Sequence, residues 1–153
     1  MKILFLVHME EMFREMMDLA HAHVLLNAHK YDRIIHMSSY IGDDGLPHIK
    51  ELDLVVDEVI EFAWGYEKDY GNYDECDENC EDMYSCECGS RWVIESSGHD
   101  YTWCPPEIRE NVAYYKEHDI FVGGGYEYEC LADFESVLDH LDIDYELVDD
   151  MVY

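Results

Sequence analysis

At 153 residues the chain has the commonest length of a single folded domain, a size that can bury roughly 70% of its unfolded surface. An apolar fraction of 48%, with 13 tyrosines and 8 methionines, excludes a disordered chain. The net charge of −28, from 37 acidic residues against 9 lysines and arginines, repels nucleic acid and anionic membranes. We therefore expect one domain spanning residues 1–153 that binds neither directly.

The start of the chain predicts a cytoplasmic protein. The apolar run Ile3–Val7 is followed by acidic residues, and it is too short for the hydrophobic region of a signal peptide. No later segment approaches the roughly 20 apolar residues of a membrane span. In the cytoplasm, the six cysteines are expected to be thiols, metal ligands or catalytic groups rather than a disulfide framework.

Predicted strands and helices alternate along the chain. Apolar runs predict strands, and apolar residues at helical spacing predict helices. In chain order we expect strand 2–7, helix 10–27, strand 33–37, a loop to 48, helix 52–63, strand 91–94, helix 105–116, strand 120–122, helix 128–141 and strand 145–148. Residues 66–89 lack periodicity, are dense in acidic residues and cysteine, and are interpreted as an inserted loop.

This alternation predicts an α/β fold. Strands that are joined through helices form right-handed crossovers, which build a parallel sheet that is covered by helices on both faces. We expect a three-layer, Rossmann-like open sheet that is mainly parallel, with the acidic, cysteine-rich insert at residues 66–89.

The carboxyl ends of the predicted strands select the candidate site residues, because open parallel sheets bind their ligands beyond that edge. The candidates for the reacting groups are Cys130, His8 and Glu10. The further pocket candidates are Ser38, Ser39, Ser96, His99, Tyr126 and Glu127. A thiol with histidines and carboxylates nearby is the set of groups that nucleophilic catalysis requires.

Cys130 lies near the start of a predicted helix, where backbone amides and the helix dipole favour a thiolate. Glu127 and Glu129 oppose that shift through their like charge. The sequence leaves two alternatives open, a nucleophile with a lowered pKa and a small apolar residue that packs the first helical turn.

Two segments carry a family resemblance. The run from Ile120 to Leu131, with its three glycines and Cys130, and the start Leu6–Phe13 resemble the isochorismatase-like cysteine hydrolases. In that family an aspartate follows the first strand, a lysine comes from the middle of the chain, and the cysteine is the nucleophile. Cys130 matches the cysteine, whereas His8 stands at the aspartate, Glu10 stands where a glutamine is common, and no lysine matches the third position.

The resemblance implies hydrolysis of an amide or related bond on a small-molecule substrate through a thioester, with His8 replacing the aspartate as general base. No nucleotide cofactor is predicted.

Four cysteines of the insert form a second candidate site. Cys76, Cys80, Cys86 and Cys88 have the spacing C-x3-C-x5-C-x-C, and four thiolates could close a tetrahedral structural zinc site. This spacing departs from paired C-x2-C motifs, so unliganded thiols or a disulfide remain alternatives.

The charge supports a different class of function. No lysine or arginine follows Lys116, although that part of the chain carries many acidic residues. A solvated acidic face is one interpretation. A second is a non-enzymatic binding or inhibitor protein, such as a phage accessory protein, that docks on a basic protein surface or mimics DNA. A third is adaptation to salt, which the content of cysteine, methionine and isoleucine disfavours.

Overall fold

A computed structural model of the protein describes residues 1–39, 48–62 and 93–153. Its strands are β1 (Lys2–Val7), β2 (Arg33–Ser38), β3 (Glu58–Glu61), β4 (Val93–Glu95), β5 (Tyr101–Trp103), β6 (Asp119–Gly124) and β7 (Glu146–Leu147). Its α-helices are α1 (Asp18–Asn27), α2 (Lys50–Asp53), α3 (Pro106–Arg109), α4 (Val112–Lys116) and α5 (Cys130–His140). Three 3₁₀ turns span Glu11–Met16, Ala28–Lys30 and Asp149–Met151.

Five strands form a parallel sheet in the order β3-β2-β1-β6-β7. The chain builds outward from β1 to β3 and then returns to place β6 on the other side of β1. Neighbouring strands whose connections leave in opposite directions create a crevice beyond their carboxyl ends, where open α/β sheets bind ligands. The predicted α/β, mainly parallel fold is confirmed, and the crevice lies between β1 and β6.

Both faces of the sheet are buried, as a parallel sheet requires. Alternate residues of β1 point to opposite faces. Ile3, Phe5 and Val7 pack with α5 on one face, where the ring centroids of Phe5 and Phe134 are 5.1 Å apart. On the other face Leu4 and Leu6 pack with α1 and the 3₁₀ turns.

The helix predicted at residues 10–27 is divided. A 3₁₀ turn spans Glu11–Met16, and α1 begins only at Asp18. Glu10 has an extended backbone and is fully buried against β2, so it lies outside the helix that is predicted to begin at this residue.

The helix predicted at residues 52–63 is wrong. Leu52 lies in α2, Val55 and Val56 lie in the connection, and Val59 and Ile60 lie in β3, which pairs in parallel with β2. Residue 63 lies outside the described ranges. Pairing with β2 alternates the burial of residues 58–61, and it suits the β-branched Val59 and Ile60. In a short apolar segment such pairing overrides helical periodicity.

Two further predicted elements differ from the structure. The strand predicted at 91–94 is β4, which pairs antiparallel with β5 in a separate two-stranded sheet; residues 91 and 92 lie outside the described ranges. The helix predicted at 105–116 is broken into α3 and α4, because Asn111 between them leaves the helical conformation. The predicted insert at 66–89 also lies outside the described residues.

Candidate functional site

The candidate site lies where β1 and β6 end side by side. His8 follows β1 in a left-handed conformation, with φ of 48°, and Gly124 and Gly125 at the end of β6 also have positive φ. A Cβ atom on Gly124 would lie 2.4 Å from the Val7 carbonyl oxygen, so only glycine allows the two strands this close approach. Both strands therefore turn at the crevice, and five nearby side chains form what we call the carboxyl-edge cluster: His8, Glu10, His99, Cys130 and Asp133.

Glu10 is held by donors from the end of β2. Its carboxylate accepts hydrogen bonds from the Ser38 hydroxyl at 3.0 Å and from both the amide and the hydroxyl of Ser39 at 2.5 Å. Glu10 and Ser38 are fully buried. Three donors offset the cost of burying a carboxylate, which gives the two predicted serines a direct role in holding Glu10.

His8 is a buried, neutral imidazole. Its Nε2 lies 2.5 Å from the Phe62 carbonyl oxygen, which can only accept, so Nε2 carries the proton. Burial lowers the pKa of His8 below its ordinary value, and the Phe62 carbonyl and the charges of Glu10 and Asp133 oppose this less strongly. The Tyr153 hydroxyl donates to the His8 carbonyl oxygen at 2.5 Å, which ties the last residue of the chain to the site.

Cys130 is the first residue of α5 and is buried. Its Sγ accepts a hydrogen bond from the Tyr126 amide at 3.1 Å. Burial nevertheless raises the pKa of the Cys130 thiol to about 11; the Tyr126 amide lowers it, and the charge of Asp133 raises it further. Of the two alternatives that the sequence leaves open for Cys130, burial favours a packed thiol over one with a lowered pKa, because it outweighs the helix N-terminus.

Asp133, which the sequence does not single out as a site residue, is a buried carboxylate that pairs with the imidazole of the predicted residue His99. The fully buried carboxylate of Asp133 accepts hydrogen bonds from Nδ1 of His99 at 2.5 Å, from the His99 amide at 2.8 Å and from the Ser96 hydroxyl at 2.5 Å. The His99 side chain is 38% exposed. When a carboxylate accepts a hydrogen bond from Nδ1–H of a neutral imidazole, the lone pair of the ring is on Nε2, and that nitrogen can accept a proton.

Gly98 allows the residue 96–99 loop to lie directly on the start of α5. A Cβ atom there would lie 2.1 Å from the Glu129 carbonyl oxygen and 2.7 Å from Oδ1 of Asp133. Cys130 and Asp133 are three residues apart on α5, so they share a helix face. The loop therefore brings His99 to the same helix end as Cys130, near enough that the charges of His99 and Asp133 perturb the pKa of His8.

A sequence signal for Asp133 exists. It lies three residues after Cys130 and four before Val137, both of which are buried, so it falls within the apolar stripe of α5. An acidic residue at a core position is expected to have a partner. Its partners come from a loop that precedes α3, and that pairing follows from the tertiary fold rather than from local sequence.

The remaining predicted residues divide between the site and its surroundings. Tyr126 contributes its amide to Cys130, and its hydroxyl lies 2.6 Å from the Met16 sulfur. Glu127 is exposed and makes no hydrogen bond to the described residues of the site. Cys76, Cys80, Cys86 and Cys88 lie outside the described residues.

Among residues 1–39, 48–62 and 93–153, no group of three histidine, cysteine or acidic side chains is arranged to hold a metal ion. The same ranges contain no helix that is long and apolar enough to cross a membrane.

Comparison with known proteins gives no match for this chain among models of protein families, curated protein sequences or solved structures. The site is therefore interpreted from its own geometry.

Proposed function

We propose that this protein is a hydrolase that cleaves an amide or related bond of a small molecule, with Cys130 as nucleophile and the His99–Asp133 pair as general base. The observation that carries the proposal is the fully buried Asp133 carboxylate, which holds the half-exposed His99 at the helix end where Cys130 lies. A carboxylate that orients an imidazole beside a potential nucleophile is the arrangement that acyl transfer uses on unrelated folds.

The protonation states define the order of the steps. Since burial raises the pKa of Cys130 to about 11, the thiol is neutral at pH 7 and must lose its proton during attack. Nε2 of His99 takes the thiol proton as Sγ forms a bond to the carbonyl carbon of the substrate. His99 then returns that proton to the leaving amine as the carbon–nitrogen bond breaks. Water hydrolyses the thioester, which releases the acid and restores the thiol.

His8 is assigned a positioning role in this proposal, although the sequence predicts it as the base. Its Nε2 proton is engaged by the Phe62 carbonyl, and its main-chain carbonyl holds Tyr153. In the proposal Glu10 similarly fixes the ends of β1 and β2 through Ser38 and Ser39.

The charge of the cluster sets the proposed substrate class. Two fully buried carboxylates, Glu10 and Asp133, lie in the cluster, and the whole chain carries a charge of −28. This field repels carboxylate and phosphate substrates. Neutral or amine-bearing amides are therefore favoured, and the cytoplasmic setting that the sequence predicts would keep the thiol reduced.

A panel of p-nitroanilides and p-nitrophenyl esters with neutral, cationic and anionic acyl groups tests the proposal. Cys130→Ala is expected to abolish turnover with unchanged circular dichroism. Cys104→Ala is the matched control, because Cys104 is also a buried thiol but lies in the core beside α3. Equal turnover by the wild type and Cys130→Ala would show that Cys130 is not the nucleophile.

A further inference from the structure

Five long apolar side chains are exposed on the segment that leads into and along α1, and Leu25, at 38%, is the least exposed of them. Met12 and Met16 are 46% and 57% exposed, and Leu19 and Leu26 are 80% and 70% exposed. We call these four residues the α1 apolar patch. Isolated exposed apolar residues are ordinary, but a concentration of them on consecutive elements, here the 3₁₀ turn Glu11–Met16 and α1, is typical of an interaction surface.

The geometry of α1 places the two leucines on one outer face. Leu19 and Leu26 are seven residues apart, which is close to two helical turns, so they lie above one another. The opposite face of α1 is already used, because Ala20 and Val24 are buried against the sheet. The patch is therefore a second apolar surface, and residues 1–39, 48–62 and 93–153 leave it uncovered.

The charges beside the amino-terminal half of the patch are acidic, whereas Lys30, four residues after Leu26, is exposed at its other end. Glu11, Glu15 and Asp18 are exposed along the same segment. The nearby Arg14 is already paired, with its guanidinium 2.9 Å from a Glu51 oxygen and 3.4 Å from a Glu11 oxygen. The amino-terminal half of the patch thus combines flexible methionines with net negative charge.

We propose that the α1 apolar patch binds a basic amphipathic helix of a partner protein, an interaction that goes beyond the hydrolase activity. The apolar face of such a helix would cover Leu19, Leu26 and the methionines, whose unbranched side chains adapt to varied apolar surfaces. Its lysines or arginines would lie against Glu11, Glu15 and Asp18. If two copies of this chain associated through the patch, the same acidic residues would face each other and two chains of charge −28 would repel. Charge therefore favours a basic partner over self-association.

The test uses the full chain and a fluorescein-labelled peptide of leucine and lysine, with the leucines at helical i, i+3, i+4 and i+7 spacing. Fluorescence anisotropy should show saturable binding that weakens as salt is raised. The double variant Leu19→Gln with Leu26→Gln should weaken binding at least about tenfold, equivalent to about 1.4 kcal/mol. Leu54→Gln is the matched control, because Leu54 is 85% exposed but lies after α2, and its affinity should equal that of the wild type.

Two probe controls separate the contributions. A scrambled peptide of the same composition keeps the charge but loses the apolar face, and it should bind at least about tenfold more weakly. If the two peptides bind equally well, or if Leu54→Gln weakens binding as much as the double variant does, the binding comes from overall charge and not from the α1 apolar patch. Either result would overturn the proposal. Sedimentation of the chain alone as a dimer that the double variant dissociates would also overturn it, since the patch would then be an interface between copies.

Discussion

Buried polar side chains are concentrated at one edge of the sheet. Of the six buried polar or charged residues that the structure describes, His8, Glu10, Ser38 and Asp133 belong to or contact the carboxyl-edge cluster. Burying such groups is unfavourable unless each finds a partner, and the hydrogen bonds of Glu10 and Asp133 supply those partners. Apolar residues would pack this edge equally well, so the concentration of buried polar groups supports the proposal of a chemical role.

The thiol of Cys130 is expected to react slowly with iodoacetamide. A pKa of about 11 leaves few thiolates at pH 8, compared with a free cysteine of pKa about 8.5, so alkylation should be on the order of a hundredfold slower. Burial raises the pKa of Cys104 to about 12, so Cys104 should be slower still. Peptide mass spectrometry of the native protein measures both rates. Alkylation of Cys130 at the rate of free cysteine would contradict the burial that the structure gives it.

His36 is expected to make the protein less stable as the pH falls. Its Nδ1 lies 3.1 Å from Nδ1 of His48, and burial, His48 and His8 together lower the pKa of His36 to about 3. Between that value and about 6.5 the unfolded chain binds a proton that the folded chain does not, so acid favours unfolding. The stabilising contribution is thus complete above pH 6.5 and is lost as the pH falls towards 3.

The variant His36→Leu tests this directly. Without the imidazole, the free energy of unfolding between pH 6.5 and 5 should fall less steeply than in the wild type, by up to about 1.4 kcal/mol per pH unit. Urea titrations of both proteins across this range, with pH 7.5 as the reference, measure the difference. Parallel pH profiles would mean that His36 is protonated equally in the folded and unfolded chains.

At the level of elements, the apolar residues between 52 and 63 fit the spacing of a helix, but the structure forms strand β3 within this segment. Val59 and Ile60 fit the helical spacing of residues 52–63, but in β3 they alternate, with Ile60 1% exposed and Val59 36% exposed. Ile60→Ala should lower the free energy of unfolding by about 2–5 kcal/mol, the cost of emptying a core site. Val59→Ala, the matched control, should cost under about 1 kcal/mol. Equal losses in urea titrations would contradict the strand assignment.

The elements that the sequence predicts well are those with a long, unambiguous pattern. β1 and β6 contain uninterrupted apolar runs, and the apolar residues of β2 are interrupted only by His36. The bounds of α5 differ from the predicted ones by two residues at one end and one at the other. β4 and β5 are less predictable because each has only three residues, and their pairing depends on a turn at 96–100 rather than on the strands themselves.

The site was predictable only in part, for a similar reason. His8, Glu10 and Cys130 follow from the rule that ligands bind beyond the carboxyl ends of parallel strands. The pairing of His99 with Asp133 depends on a loop that crosses onto α5, and the raised pKa of Cys130 depends on burial. Neither the pairing nor the raised pKa can be predicted from the spacing of apolar residues along the chain.

For the whole molecule, the charge of −28 is the dominant electrostatic feature. Repulsion among the acids destabilises the folded chain, where they are held closer together than in the unfolded chain. Raising the salt from about 10 mM to about 300 mM shortens the Debye length and should increase the free energy of unfolding. The exposed pair of Arg14 with Glu51 is weakened by the same salt, but such pairs contribute little. A fall in stability in urea titrations at high salt would contradict this account.

We propose that His99 of the carboxyl-edge cluster activates the thiol of Cys130. The direct test is acylation of the protein by p-nitrophenyl acetate. Peptide mass spectrometry should find the acetyl group on Cys130 and not on Cys104. His99→Gln and Asp133→Asn should each slow acetylation at least about tenfold, because general-base assistance is worth about 10² to 10⁴ in rate. His8→Asn, which suits the positive φ at that position, should have a smaller effect. Acetylation of Cys130 at an unchanged rate in His99→Gln, or none on Cys130 at all, would contradict the claim.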